Sequence, residues 1–254
     1  MKAYLAFTRK ELLESVRTYK LLILALVFLL LGMLGPLSAK LTPQLMESLM
    51  SQGIQITMPE PTAFDSWTQF FKNVSQMGFM VLAIMFSGVM TNEFSRGTLI
   101  NILTKGLPRS TVILSKFTVA SGIWTVSYAF CFILSYLYTA YFWRSGVVSN
   151  LLFSAFCLWL FGVMLIAVIM LGGVISRNRY GCLLSTGGFA VILTLLNMVG
   201  KIQNYNPLIL ASNNMDLLTG AAAPKDWWES IIISFIMIIL SLFAAIKIFN
   251  KKQL

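Results

Sequence analysis

Histidine is absent from this 254-residue chain, and ionisable residues are sparse: 11% are charged, only nine of them acidic. Without histidine an H-E-x-x-H metalloprotease helix is impossible, and a zinc site would have no imidazole to draw on. The three cysteines, Cys131, Cys157 and Cys182, lie in or beside apolar blocks with no C-x-x-C spacing, which excludes the usual disulfide framework. Gly200-Lys201 lacks the upstream glycine and the following Ser or Thr of a phosphate-binding loop, so the chain is not expected to hydrolyse ATP. No Asp, Glu, Lys or Arg falls deep inside an apolar block. Ion-coupled carriers depend on such charges, so their absence points to energy supplied from outside the chain.

What is present in quantity is apolar surface. With 57% hydrophobic residues and a mean hydropathy of +0.80, the chain has too few charges to coat a soluble domain. Unbroken runs of about 20 apolar residues predict six spans, at 21–39, 74–91, 117–142, 151–176, 182–200 and 230–249. The second is rich in methionine and phenylalanine, with Met77, Met80 and Phe86 among them. Before the first span, residues 1–20 place Leu5, Leu12, Leu13 and Val16 opposite Arg9, Lys10, Glu14 and Arg17, the pattern of an amphipathic helix on a membrane surface. Glu11 and Glu14 in that charged leader argue against a signal peptide.

Most of the 19 Lys and Arg residues fall in the terminal segments and the even-to-odd turns, which share one side: the leader, Arg96 to Lys116, Arg177 with Arg179, and the C-terminal Lys247, Lys251 and Lys252. The opposite side holds Lys40, Lys72, Arg144, Lys201 and Lys225. The positive-inside rule therefore predicts cytoplasmic termini, and the net charge of +10 reflects topology rather than a nucleic-acid partner.

Two outer segments exceed simple connectors. Thr42-Pro43 is expected to start a short helix ending at Gly53, and Thr62 with Asp65 reads as a capping box beginning the second long helix outside the membrane. Phe64, Trp67, Phe70 and Phe71 are expected to form an aromatic belt at headgroup level. Residues 201–229 are too short to cross and read as a re-entrant or interfacial helix over 208–218, with Trp227 and Trp228 anchoring its return. Thr186, Thr194 and Asn197 give the fifth span its mild polarity.

The stretch TNEFSRGTLINILTKGLPRSTVILSKF, 91–117, is the longest basic polar segment between two apolar blocks. Gly97 permits a sharp turn, Thr98 can cap a short helix through Leu99, Ile100, Ile102 and Leu103, Gly106 stops it, and Ser110 or Thr111 can cap the next. The pattern E-F-x-x-G-T-L followed by an R and S-K resembles the loop between the second and third spans of ABC-2 type transporter permeases. In that family the loop contains the coupling helix that contacts the ATPase subunit. The resemblance carries over to Glu93, Gly97, Thr98, Leu99, Arg109 and Lys116, with Arg96 and Ile102 on the same segment. One departure is that Pro108 directly precedes Arg109, where family members often space the two.

Taken together, the expected architecture is an all-α membrane protein: one permease domain, 1–254, with six transmembrane helices, an N-terminal interfacial helix, a coupling helix and short external helices. The resemblance implies a bacterial plasma-membrane exporter that dimerises with a second copy or a paralogue and recruits two cytoplasmic ATPase subunits. ATP and Mg²⁺ belong to those partners, and this chain is expected to hold no cofactor or metal. Methionine and aromatic surface without buried charge favours a hydrophobic or amphipathic cargo such as a peptide, lipid or antibiotic, passing Met77, Met80, Phe86, Thr186, Thr194 and Asn197. A membrane scaffold that transports nothing is the alternative class.

Overall fold

A computed structural model describes residues 2–49, 60–97, 104, 106–143, 148–200 and 202–252 of the chain, and no strand occurs among them. Helix α1 (Lys2–Arg17) leads through Tyr19, whose φ of 57° turns the chain, into α2 (Lys20–Leu49). Helix α3 (Ala63–Asn73) runs through a π-helical turn, Val74–Gly78, into α4 (Phe79–Arg96). Then come α5 (Arg109–Phe142), α6 (Leu151–Ser176) and α7 (Arg179–Asn197). The short α8 (Ile209–Ser212) and α9 (Asn214–Thr219) precede the last long helix, α10 (Trp228–Lys251). Six of these stretches are long and apolar enough to cross a membrane, matching the six expected spans.

Helix α6 is the hub. Its sequence is apolar all round, the mark of a helix with no solvent face, and 83% of its most apolar stretch is buried against 17% for α7. It packs against α4, α5, α7 and α10, while α2 makes its most extensive contact with α5. Helix α1 lies on α5 through Phe7, Glu11 and Ser15, one residue per turn, and leaves Leu5, Leu12, Leu13 and Val16 exposed. Its apolar stripe thus has no protein partner among the described residues, as an interfacial helix requires.

Three expectations need correcting. No new helix begins at Thr42-Pro43: α2 continues through both Pro36 and Pro43. A proline costs its helix one hydrogen bond, orphaning the carbonyl four residues back. For Pro36 that carbonyl belongs to Gly32, and the Ser135 hydroxyl on α5 donates to it at 2.7 Å. The Gly53 stop lies outside the described residues.

Secondly, Trp67, Phe70 and Phe71 do not form a headgroup belt, because they are buried, with Trp67 against Phe132 at 5.3 Å and Phe70 against Tyr128 at 6.2 Å between ring centres. Thirdly, residues 208–218 form two helices broken at Asn213, and their apolar side chains Leu210 and Leu217 are buried against the bundle. The start of α3 is as expected: the Asp65 carboxylate accepts from both the backbone N–H and the hydroxyl of Thr62 at 2.8 Å.

Candidate functional site

At the end of the bundle where α1 meets α5, the two arms of the 97–108 loop are each fixed by polar contacts. Helix α4 ends at Gly97, whose φ of 64° suits glycine and lets its N–H reach the Phe94 carbonyl. Helix α5 begins at Arg109 with Pro108 as its N-cap, so neither Ser110 nor Thr111 caps it. Thr98, Leu99 and Ile102, the expected coupling helix, lie outside the described residues, as does the Arg96 side chain.

Glu93 and Lys116 do not stand free on this surface. Lys116, 2% exposed, donates to Glu11 at 2.7 Å and pairs with Glu93 at 2.9 Å, and both carboxylates are themselves buried. Lys10 closes the cluster from the solvent side, 2.8 Å from both Glu11 and Glu14 and 3.4 Å from Glu93. One oxygen of Glu93 has no hydrogen-bond partner among the described residues. Burial works against the Lys10 charge, yet its hydrogen bonds with Glu11 and Glu14 prevail and hold the ammonium above its ordinary range. Glu14 is partly desolvated too, which raises a carboxyl, but Lys10 holds it below the usual carboxylate range. The cluster joins three elements: α1, the end of α4 and the start of α5.

Arg109 fixes the other arm. Its guanidinium lies 5.2 Å from the Phe249 ring centre and donates to the carbonyls of Phe249, Asn250 and Lys252, the last at 2.7 Å. These carbonyls close α10, where a helix leaves acceptors unpaired and its dipole favours a cation. Lys252 repeats the device, donating to Val174 and, at 2.9 Å, to Ile175 at the end of α6. Arg179 reaches Asn92 at 2.8 Å, tying the start of α7 to α4.

Towards the opposite end, α3, the π-helical turn, α4, α6, α7 and the short α8–α9 pair line a half-open cavity of about 650 Å³. Ser75 in the π-helical turn donates to the Ala211 carbonyl at 2.7 Å and so ties that turn to α8. Of the expected pathway residues, Met80, Thr186 and Thr194 line this cavity. Met77 is exposed beside it, Phe86 is buried nearer the charge cluster, and Asn197 accepts from Asn206 at 3.4 Å. Asn214, also in the wall and 1% exposed, donates to the Leu210 carbonyl while its own oxygen has no partner among the described residues.

The pattern of the sequence assigns no site role to Glu11, Lys10, Lys252 or Asn214, although all four are fixed here by specific contacts. For Glu11 a signal existed: Phe7, Glu11 and Ser15 share one face at i, i+4 spacing, opposite the apolar stripe that drew attention. For Lys252 and Asn214 none existed, since their partners are fixed only by the fold.

A family model described as "ABC-2 family transporter protein" matches residues 21–199, the first five spans and the loop between the second and third. The chain is also similar to an uncharacterized transmembrane protein, YxlG, of Bacillus subtilis, at 22% identity over 182 residues and 70% of each chain.

Proposed function

The chain belongs to the ABC-2 family of transporter proteins and is a permease working with an ATPase partner, and from that premise we propose that the 97–108 loop is the surface through which ATP hydrolysis drives it. The observation that supports this reading is the fixing of both loop arms to the bundle: Glu93 and Lys116 to α1, Arg109 to the end of α10. A displacement of the loop is thereby passed to four helices at once. In this reading Glu93, Arg109 and Lys116 act behind the contact, holding the loop, and Thr98, Leu99 and Ile102 present its face to the ATPase.

The finer reading is an exporter of two permease chains and two ATPase subunits in a bacterial plasma membrane, with both termini cytoplasmic, supported by the bias of Lys and Arg towards one side. The cargo is hydrophobic or amphipathic, supported by the mainly apolar cavity that holds Met80, Thr186 and Thr194. ATP and Mg²⁺ bind in the partner.

Gly97 supplies the test. Leucine at a φ of 64° is strained, and no atom of the described residues lies within 4 Å of an added Cβ, so the substitution acts on the loop rather than by crowding the core. We expect Gly97→Leu to insert normally and to lose about tenfold or more in affinity for a co-expressed ATPase, roughly 1–3 kcal/mol, measured by pull-down titration. Wild-type association in that variant would make the loop a connector.

A further inference from the structure

The cavity is chemically graded. Lys72 is the one ionisable residue in its lining and sits at one end, while Ala83, eleven residues on and about 16 Å along the helix axis, lies at the other beside Phe161 and Leu165. Lys72 is exposed and makes no ion pair among the described residues. The hydroxyls of Thr68, Ser75, Thr186, Thr194 and Ser212 each donate to a backbone carbonyl. Their hydrogens are spent inside the protein. Beyond Lys72, only the side-chain amides of Gln76 and Asn214 remain in the lining, so a ligand with many polar groups along its length, such as an extended peptide, would lose water at more groups than the wall can pair.

We propose that this cavity binds a single-chain anionic amphiphile, its headgroup paired with Lys72 and its tail lying against Phe79, Phe161 and Leu165. The proposal rests on the permease reading for its purpose, but its chemistry stands on the lining alone. A cationic amphiphile would meet Lys72 with the wrong sign, and a sugar would leave the aromatic wall wet. The volume, about 650 Å³, falls within the range of small-ligand sites and suits one chain better than two chains on a glycerol backbone.

The test uses the purified chain in phosphatidylcholine nanodiscs, without any ATPase, and dodecyl phosphate carrying a diazirine at the tail end as the photolabel. Mass spectrometry should place the label on 79–83 and 161–165, and unmodified dodecyl phosphate should compete. Because Lys72 is exposed, its variants keep the fold. Lys72→Glu should lower labelling about tenfold or more, and Lys72→Arg should retain most of it. Equal labelling by the trimethylammonium analogue, unchanged labelling of Lys72→Glu, or displacement of the label by phosphatidic acid as readily as by dodecyl phosphate would each overturn the proposal. None of these results bears on ATPase pull-down, so failure here and failure of the permease reading are separate outcomes.

Discussion

Replacing Lys116 with methionine is expected to be the most damaging single change in the protein. Methionine fits the space, but it leaves Glu11 and Glu93 facing each other without the ammonium that lies 2.7 and 2.9 Å from them. Both carboxylates are buried, at 5% and 6% exposure; Lys10 stays 2.8 Å from Glu11 but only 3.4 Å from Glu93, so Glu93 is the charge left without a close partner. Removing one member of a buried ion pair costs about 3–5 kcal/mol, because the remaining charge keeps its desolvation penalty. Thermal unfolding in detergent, followed by fluorescence-detected size exclusion, should show a large drop in midpoint. The triple variant Lys116→Met, Glu11→Gln, Glu93→Gln removes the stranded charges and should recover most of the loss. A loss under about 1 kcal/mol for Lys116→Met would mean the cluster is hydrated and behaves as a surface network.

Gly32→Leu should come second. A Cβ at Gly32 would stand 2.6 Å from the Cys131 carbonyl oxygen and 3.2 Å from its Cα, backbone atoms that cannot turn aside. Helices α2 and α5 must separate, and small residues are what permit such close approach of membrane helices. Separation also breaks the bond from Ser135 to the Gly32 carbonyl, the acceptor that Pro36 had already orphaned. Overpacking and an unpaired buried carbonyl together amount to about 2–5 kcal/mol. Gly122→Ala is the control: nothing lies within 4 Å of its added carbon, so it should be neutral or slightly stabilising. Equal midpoints for the two variants would contradict the close α2–α5 contact.

The contrast between Pro36 and Thr62 shows how far the sequence reaches. The Thr62–Asp65 cap is local, three residues apart, and was legible. The tolerance of Pro36 depends on a hydroxyl 103 positions beyond the Gly32 carbonyl that it satisfies, and no local rule announces it. Likewise the six spans follow from hydropathy alone, because lipid leaves a backbone few other ways to satisfy its polar groups. The charge cluster does not follow. Lys116 and Glu93 read as solvated loop charges, yet both are buried, because α1 brings the Glu11 carboxylate within 2.7 Å of the Lys116 ammonium. The aromatic residues of α3 misled for a related reason: an aromatic near a membrane boundary resembles a belt until a neighbour such as Phe132 covers it. Half of the expected pathway residues meet at one cavity because α4 and α7 happen to expose the same faces to it, a matter of helix rotation that spacing does not determine.

Whether the loop holds an ATPase is open to direct capture. A photoreactive p-benzoylphenylalanine placed at Leu99, in the chain co-expressed with the ABC ATPase that it co-purifies with, should give on irradiation a covalent adduct with the ATPase. The yield should fall in the Gly97→Leu background and change between nucleotide-free and ATP-bound states. Adducts with lipid alone, from a chain that still co-purifies with the ATPase, would contradict the account.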